Sequence, residues 1–219
     1  MKTLALLVLS VFLVSAQTTN TIQAAGSATR NVTPDMVQLN FGVVTQATTA
    51  QAAADQNATI AEGMIKALRD VIGTGGKIET VYYTVSARYS NSNPPTLIGY
   101  TVSNTVRVTA NNPGLAGKLI DTATQNGANS ISGPTFGLQN PEPETQLALA
   151  AAARQALAHA AAIASGLGAK TGATLSAQET STVTPVLTGA PTAVGVSTPI
   201  ETGTVSVSAH VTVTVALVQ

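Results

Sequence analysis

The sequence predicts an α+β protein, a mixed or antiparallel sheet with helices layered on one face, in the order β-β-α-β-β-α-β-α-β-β. Three observations carry this. Several stretches alternate apolar and polar residues with the period of two that a half-buried strand requires. Three other stretches repeat apolar residues every three or four positions, the spacing of an amphipathic helix. Glycine, proline and asparagine clusters separate the two kinds of stretch, and hairpins joined by helices make an α+β layer rather than a parallel α/β sheet.

Taken in order, residues 21–32 and 36–45 read as two strands forming an opening hairpin that turns at Thr33-Pro34-Asp35; Val37, Leu39, Phe41 and Val43 share one face of the second. Thr48 with Gln51 fits a capping box, and Ala54, Ala58, Ala61, Ile65, Leu68 and Ile72 form a helical stripe that ends in the glycines of residues 73–76. A long hairpin follows, from residue 78 to 89 and back from 97 to 109, with its turn at Asn91-Ser92-Asn93-Pro94-Pro95. Asn112-Pro113 opens a second helix with Leu115, Leu119, Ile120 and Ala123 on its apolar face. Residues 130–138 form a short strand in which Gly133-Pro134 marks a bulge or an edge. A third helix starts at Asn140-Pro141, with Glu142 and Glu144 near the positive end of its dipole, and continues to about Leu167. It is dominated by alanine, which has the highest helix propensity but buries little area, so close packing on a sheet is expected. Residues 173–181 form a strand, 185–199 a loop rich in Thr, Gly and Pro, and the chain closes on the clearest pattern of all. There Val205, Val207, Ala209, Val211, Val213, Val215 and Leu217 alternate with Thr204, Ser206, Ser208, His210, Thr212, Thr214 and Ala216.

Composition narrows the function. The chain has 219 residues and no cysteine, which removes disulfides, thiol nucleophiles and thiolate metal ligands. Charged residues make up 9% and the formal net charge is zero, so no nucleic-acid partner is expected. Alanine (36) and threonine (33) supply nearly a third of the residues, a bias that suits a secreted protein. Lys2, the apolar run of residues 4–14 and the small residues Val14-Ser15-Ala16 describe a signal peptide, residues 1–16. Its apolar run is shorter than the ~20 residues a bilayer span requires. The reading is an exported mature chain, residues 17–219, with no transmembrane span left after cleavage.

The sequence offers few residues for catalysis or metal binding. His159 and His210 are the only histidines; neither has a second histidine or a carboxylate at matching spacing within its own element, so both read as surface residues. Glu142 and Glu144 stand at i and i+2 and face different ways, which fits dipole compensation better than acid–base work. Gly73-Thr74-Gly75-Gly76 lacks the Gly-Lys-Ser/Thr ending of a phosphate loop, and no Gly-x-Ser-x-Gly elbow occurs. No metal or cofactor site is expected. All four tyrosines, Tyr82, Tyr83, Tyr89 and Tyr100, fall in the long hairpin and are the candidate ligand or interface residues, although Tyr82 and Tyr83 must point to opposite faces. Asn104 interrupts the apolar face of its strand and should hydrogen-bond a loop or neighbouring backbone.

The order of motifs resembles the SIMPL-domain family of exported bacterial periplasmic or outer-membrane immunogen-like proteins. The matching residues are Gly26 with Pro34-Asp35, the helix of residues 51–68, Ile78-Glu79-Thr80 with Tyr89, and Gly99-Tyr100-Thr101-Val102-Ser103-Asn104. Gly127-Ala128-Asn129 and Thr198-Pro199-Ile200 with Gly203 complete the set. The resemblance implies an α+β fold over residues 17–219, arranged as one domain or two interleaved subdomains. It also implies a periplasmic or cell-envelope location, homo-oligomerisation into ring- or channel-like assemblies, and a link to envelope or oxidative stress without catalytic residues to carry over. The alanine-rich third helix departs from the family's more charged pattern. The expectation is a non-enzymatic envelope protein acting through self-association or an envelope protein partner; the alternative is a monomeric ligand-binding module built on the tyrosine hairpin.

Overall fold

The computed structural model describes residues 20–186 and 200–219; the expected signal peptide and residues 187–199 of the expected loop lie outside them. In chain order the elements are β1 (Thr21–Val32), β2 (Met36–Ala47), α1 (Ala50–Ile72), β3 (Gly76–Tyr89), β4 (Leu97–Ala110), α2 (Ala116–Gln125), β5 (Ser130–Gly137), α3 (Glu142–Gly166), β6 (Lys170–Val186) and β7 (Thr204–Val218). The α+β class and the order of strands and helices are those predicted. The strands divide into two antiparallel sheets, β1-β7-β6 and β3-β4-β2-β5, each with its own hydrophobic core.

The carboxy-terminal alternation organises the first sheet. Val205, Val207, Ala209, Val211, Val213 and Val215 of β7 are buried on one face, while His210 on the other is exposed. The same face continues into β1 through Ile22 and Ala24, and α3 lies across it. Ala148, Ala152, Ala156, Ala160 and Ala164 of α3 are fully buried, a methyl every four residues along one line of the helix. Such small side chains let the helix axis come close to the sheet. At Gly26 the approach is so tight that a Cβ would lie 2.2 Å from the Ala152 carbonyl oxygen and 2.4 Å from the Ala156 nitrogen. α3 is long and apolar enough to cross a membrane by length and composition, but its alanine face is committed to this sheet.

The second sheet holds the larger side chains. Val37, Leu39, Phe41 and Val43 of β2 are buried as their period required, against Met64 and Leu68 of α1, Leu119 of α2, Val106 and Val108 of β4 and Phe136 of β5. Each such side chain contributes roughly 1.5–3 kcal/mol relative to exposure. The β5 ladder skips from Ser132 to Thr135, so Gly133-Pro134 bulges out of an edge strand as predicted.

Four local expectations are corrected. The opening hairpin does not form: β1 pairs with β7 and β2 with β4 and β5, so Thr33-Pro34-Asp35 carries the chain from one sheet to the other. Asp35 fixes that crossing, its N–H donating to Gly137 O at 3.1 Å and its Oδ1 accepting from Gln139 N at 2.7 Å. The cap of α1 is Thr49 rather than Thr48, its Oγ1 accepting from Ala52 N at 3.2 Å. The buried stripe of α1 is Ala53, Asn57, Ala61, Met64, Leu68 and Ile72, a rotation from the expected stripe that leaves Ala58 exposed. Finally, β6 begins before residue 173 and continues through Pro185 to Val186, because its pairing with β7 extends to Val186↔Thr204.

Candidate functional site

A buried asparagine, Asn57, and a half-buried one, Asn104, lie where α1 crosses the second sheet. Asn57 is fully buried, and its Nδ2 donates to Val43 O at 2.8 Å. Val43 is the cross-strand partner of Asn104. Thr45, nearby on β2, donates through Oγ1 to Ala53 O at 2.7 Å, so α1 is pinned to β2 by two side chain–backbone bonds. Neither Asn57 Oδ1 nor Asn104 Oδ1 has a hydrogen-bond partner. The bond predicted for Asn104 is therefore absent at its Oδ1: the helix sits over this position and brings no donor to it.

Asn104 instead forms part of the wall of an open groove of about 520 Å³ beside α1. Glu62, Lys66 and Arg69 supply its charged rim and Ala61 and Ile65 its apolar floor. The groove suits an amphipathic segment or a small polar molecule.

The tyrosines do not converge. Tyr83 pairs with Asn104 and Tyr100 with Ala87, which places Tyr83 and Tyr100 on the groove side of the sheet; Tyr82 pairs with Thr105 and faces away. Tyr89 stands at the hairpin end opposite Leu97. Tyr82, Tyr83 and Tyr89 are 55%, 53% and 61% exposed, and Tyr100 is half-buried. With Val81, Val85, Leu97 and Ile98, also exposed, they make the hairpin an extended apolar surface rather than a pocket. β3 is the outermost strand of its sheet, and no other described strand pairs with its outer edge.

A second concavity, of about 200 Å³, lies at the open edge of β1 and is walled by Ala25, Gly26, Ser27, Gln155, His159 and His210. Gln155 and His159, one turn apart on α3, reach the strand edge: Gln155 Oε1 accepts from Ser27 N at 2.6 Å, and His159 Nδ1 lies 2.8 Å from Ala25 O. These contacts occupy polar groups that an uncovered edge would leave open for pairing. The structure thus brings together the two histidines that spacing within single elements kept apart. Among the described residues no group of three or more His, Cys, Asp or Glu is placed to hold a metal ion. Glu142 and Glu144 lie in the first turn of α3 as expected, and Glu144 Oε2 also accepts from Arg30 Nε at 2.6 Å.

These features define an α+β protein of two helix-covered antiparallel sheets, with an exposed aromatic strand edge on one and a capped edge on the other. The chain belongs to the SIMPL family, described as a protein of unknown function (DUF541), whose pattern it matches over residues 22–215. No curated protein matches it. Among solved structures it is similar to a hydantoinase/carbamoylase family amidase from Burkholderia ambifaria, at 17% identity and a TM-score of 0.22, over 52% of this chain and 29% of the amidase. It is also similar to a protein from Burkholderia cenocepacia assigned as an amidohydrolase/peptidase, at 16% identity and a TM-score of 0.23, again over 52% of this chain and 29% of the other. The chain therefore matches less than a third of the length of either structure, and similarity at these scores carries no argument about activity.

Proposed function

We propose that this protein is a non-enzymatic, exported component of the periplasm or cell envelope that acts by self-association, with the outer edge of β3 as the contact. One observation carries the reading: residues 80–87 of β3, Thr-Val-Tyr-Tyr-Thr-Val-Ser-Ala, form an uncharged edge segment with Val81, Tyr82, Tyr83 and Val85 exposed. Natural sheets blunt exposed edges with charge, proline, bulges or a covering element. β5 is short and carries Pro134, β1 is covered by Gln155 and His159, and β6 shifts register twice within residues 171–176 and carries Lys170, Glu179 and Pro185. The β3 ladder shifts register at Val81 and again between Arg88 and Tyr89, and its charges, Lys77, Glu79 and Arg88, stand outside residues 80–87. Two such edges pair antiparallel about a twofold axis, so a second copy is the partner whose complementarity is built in. Light scattering on the chain from Gln17 onward tests this: a defined multimer is expected, and a monomer at every concentration removes the assembly reading.

Any role in envelope or oxidative stress would be exerted through such contacts. The sulfur atoms of the mature chain are Met36 and Met64, and Met64 is fully buried, which leaves little for direct oxidant scavenging. The groove beside Asn104 favours one further reading, a ligand-binding module. Under it, Tyr83→Ala or Tyr100→Ala abolishes ligand-induced thermal shifts without unfolding the protein; shifts that survive both substitutions rule out the hairpin as the binding site.

A further inference from the structure

The two-histidine pocket at the β1 edge has a feature that edge capping does not account for. The Ala25 carbonyl can only accept, so His159 Nδ1 carries the proton of that 2.8 Å bond, and in the neutral imidazole the lone pair lies on Nε2. An imidazole whose Nδ1–H is held by a backbone carbonyl is the arrangement that orients histidine as a metal ligand through Nε2. His210 arrives at the same pocket from β7, in cross-strand register with Ser27, whose own N–H is held by Gln155. Among the described residues the His210 ring makes no hydrogen bond, and it is exposed. Covering the strand edge explains Gln155 and His159, but it does not explain why the other imidazole of the chain lines the same small pocket.

We propose that His159 and His210 bind one divalent late-transition-metal ion, zinc, nickel or copper, within a single chain. Imidazole nitrogen suits these ions, whereas the absence of a carboxylate from the pocket wall disfavours magnesium and calcium. No third His, Cys, Asp or Glu completes a set among the described residues, so water supplies the remaining positions and the ion is exchangeable.

The test uses the mature chain and Zn²⁺, followed by titration calorimetry and by long-range ¹H–¹⁵N spectra of the imidazoles. The expected result is one zinc per chain, with His159 Nε2 and a His210 ring nitrogen shifting while His159 Nδ1 stays protonated. His159→Gln keeps a donor for Ala25 O and His210→Gln changes an exposed side chain, so both retain the fold by circular dichroism. Each weakens zinc binding about tenfold or more. The proposal is overturned if the wild type does not bind zinc or takes half an ion per chain. It is equally overturned if either variant binds as the wild type does, or if zinc leaves the imidazole resonances unmoved. The imidazole spectra read the wild type alone, so the test stands even where a variant misfolds.

Discussion

Replacing Gly26 with alanine adds one methyl at the tightest point of the first core. Gly26 does not have a positive φ, so the substitution acts through space rather than backbone strain. The new Cβ would lie 2.2 Å from Ala152 O, 2.4 Å from Ala156 N and 3.1 Å from Ala156 Cα, whereas ordinary contact begins at 3.4 Å. All three atoms belong to the backbone of α3, so no side chain can swing aside and the helix must lift by on the order of 1 Å. A radial gap of 0.5–1 Å forfeits a quarter to a half of each dispersion contact. The ladder from Ala148 to Ala164 has nothing longer than a methyl with which to refill it. Overpacking costs about 1–3 kcal/mol, and the backbone-on-backbone clash places Gly26→Ala near about 3 kcal/mol. For a chain of this size that lowers Tm by about 6–12 °C. The matched control is Gly63→Ala in α1, where a Cβ meets nothing within 4 Å; there the helix gains roughly 0.5–1 kcal/mol. Urea and thermal unfolding followed by circular dichroism read both variants. Gly26→Ala within about 0.5 kcal/mol of the wild type would refute the account of how α3 packs.

Three further outcomes follow from the same contacts. Asn57→Ala removes the bond to Val43 O from a fully buried site and lowers stability by about 1–3 kcal/mol in urea unfolding; an unchanged midpoint would show that the amide is not holding α1 on β2. Thr49→Ala removes the cap of α1 at a cost of about 1 kcal/mol, while Thr48→Ala leaves the midpoint nearly unchanged; the reverse ranking in the same assay would restore the cap predicted from sequence. Tyr83→Lys with Val85→Lys charges the β3 edge, which should reduce the light-scattering mass to that of one chain while the far-ultraviolet spectrum is kept. A multimer that survives both lysines places the contact elsewhere.

The elements that were legible in sequence are those whose signal is local. The valines of β7 declare their buried face by period alone; Asn140-Pro141 leads directly into α3, whereas Asn112-Pro113, expected to begin the second helix, opens a 3-10 turn over Pro113–Leu115 and α2 starts only at Ala116. The pairing of β1 was not legible, because its partner lies at residues 205–216 and a three-residue link looks the same whether it closes a hairpin or crosses between sheets. The stripe of α1 is hidden in the sequence for a different reason. A count of apolar residues passes over Asn57, whose burial is made possible by a strand carbonyl that only the tertiary fold supplies. The histidine pocket escaped because one imidazole rides on a helix and the other on a strand, and spacing rules look along single elements. The Tyr82–Tyr83 divergence follows from the strand period, and the ladder places the two on opposite faces.

Self-association through β3 is tested most directly by backbone amide hydrogen exchange at protein concentrations above and below the association midpoint. The account predicts that amides of residues 80–87 slow as concentration rises, because their outward N–H groups become paired, while those of β5 and β6 keep their rates. Exchange in residues 80–87 that is independent of concentration, in a sample whose mass does rise, would contradict it.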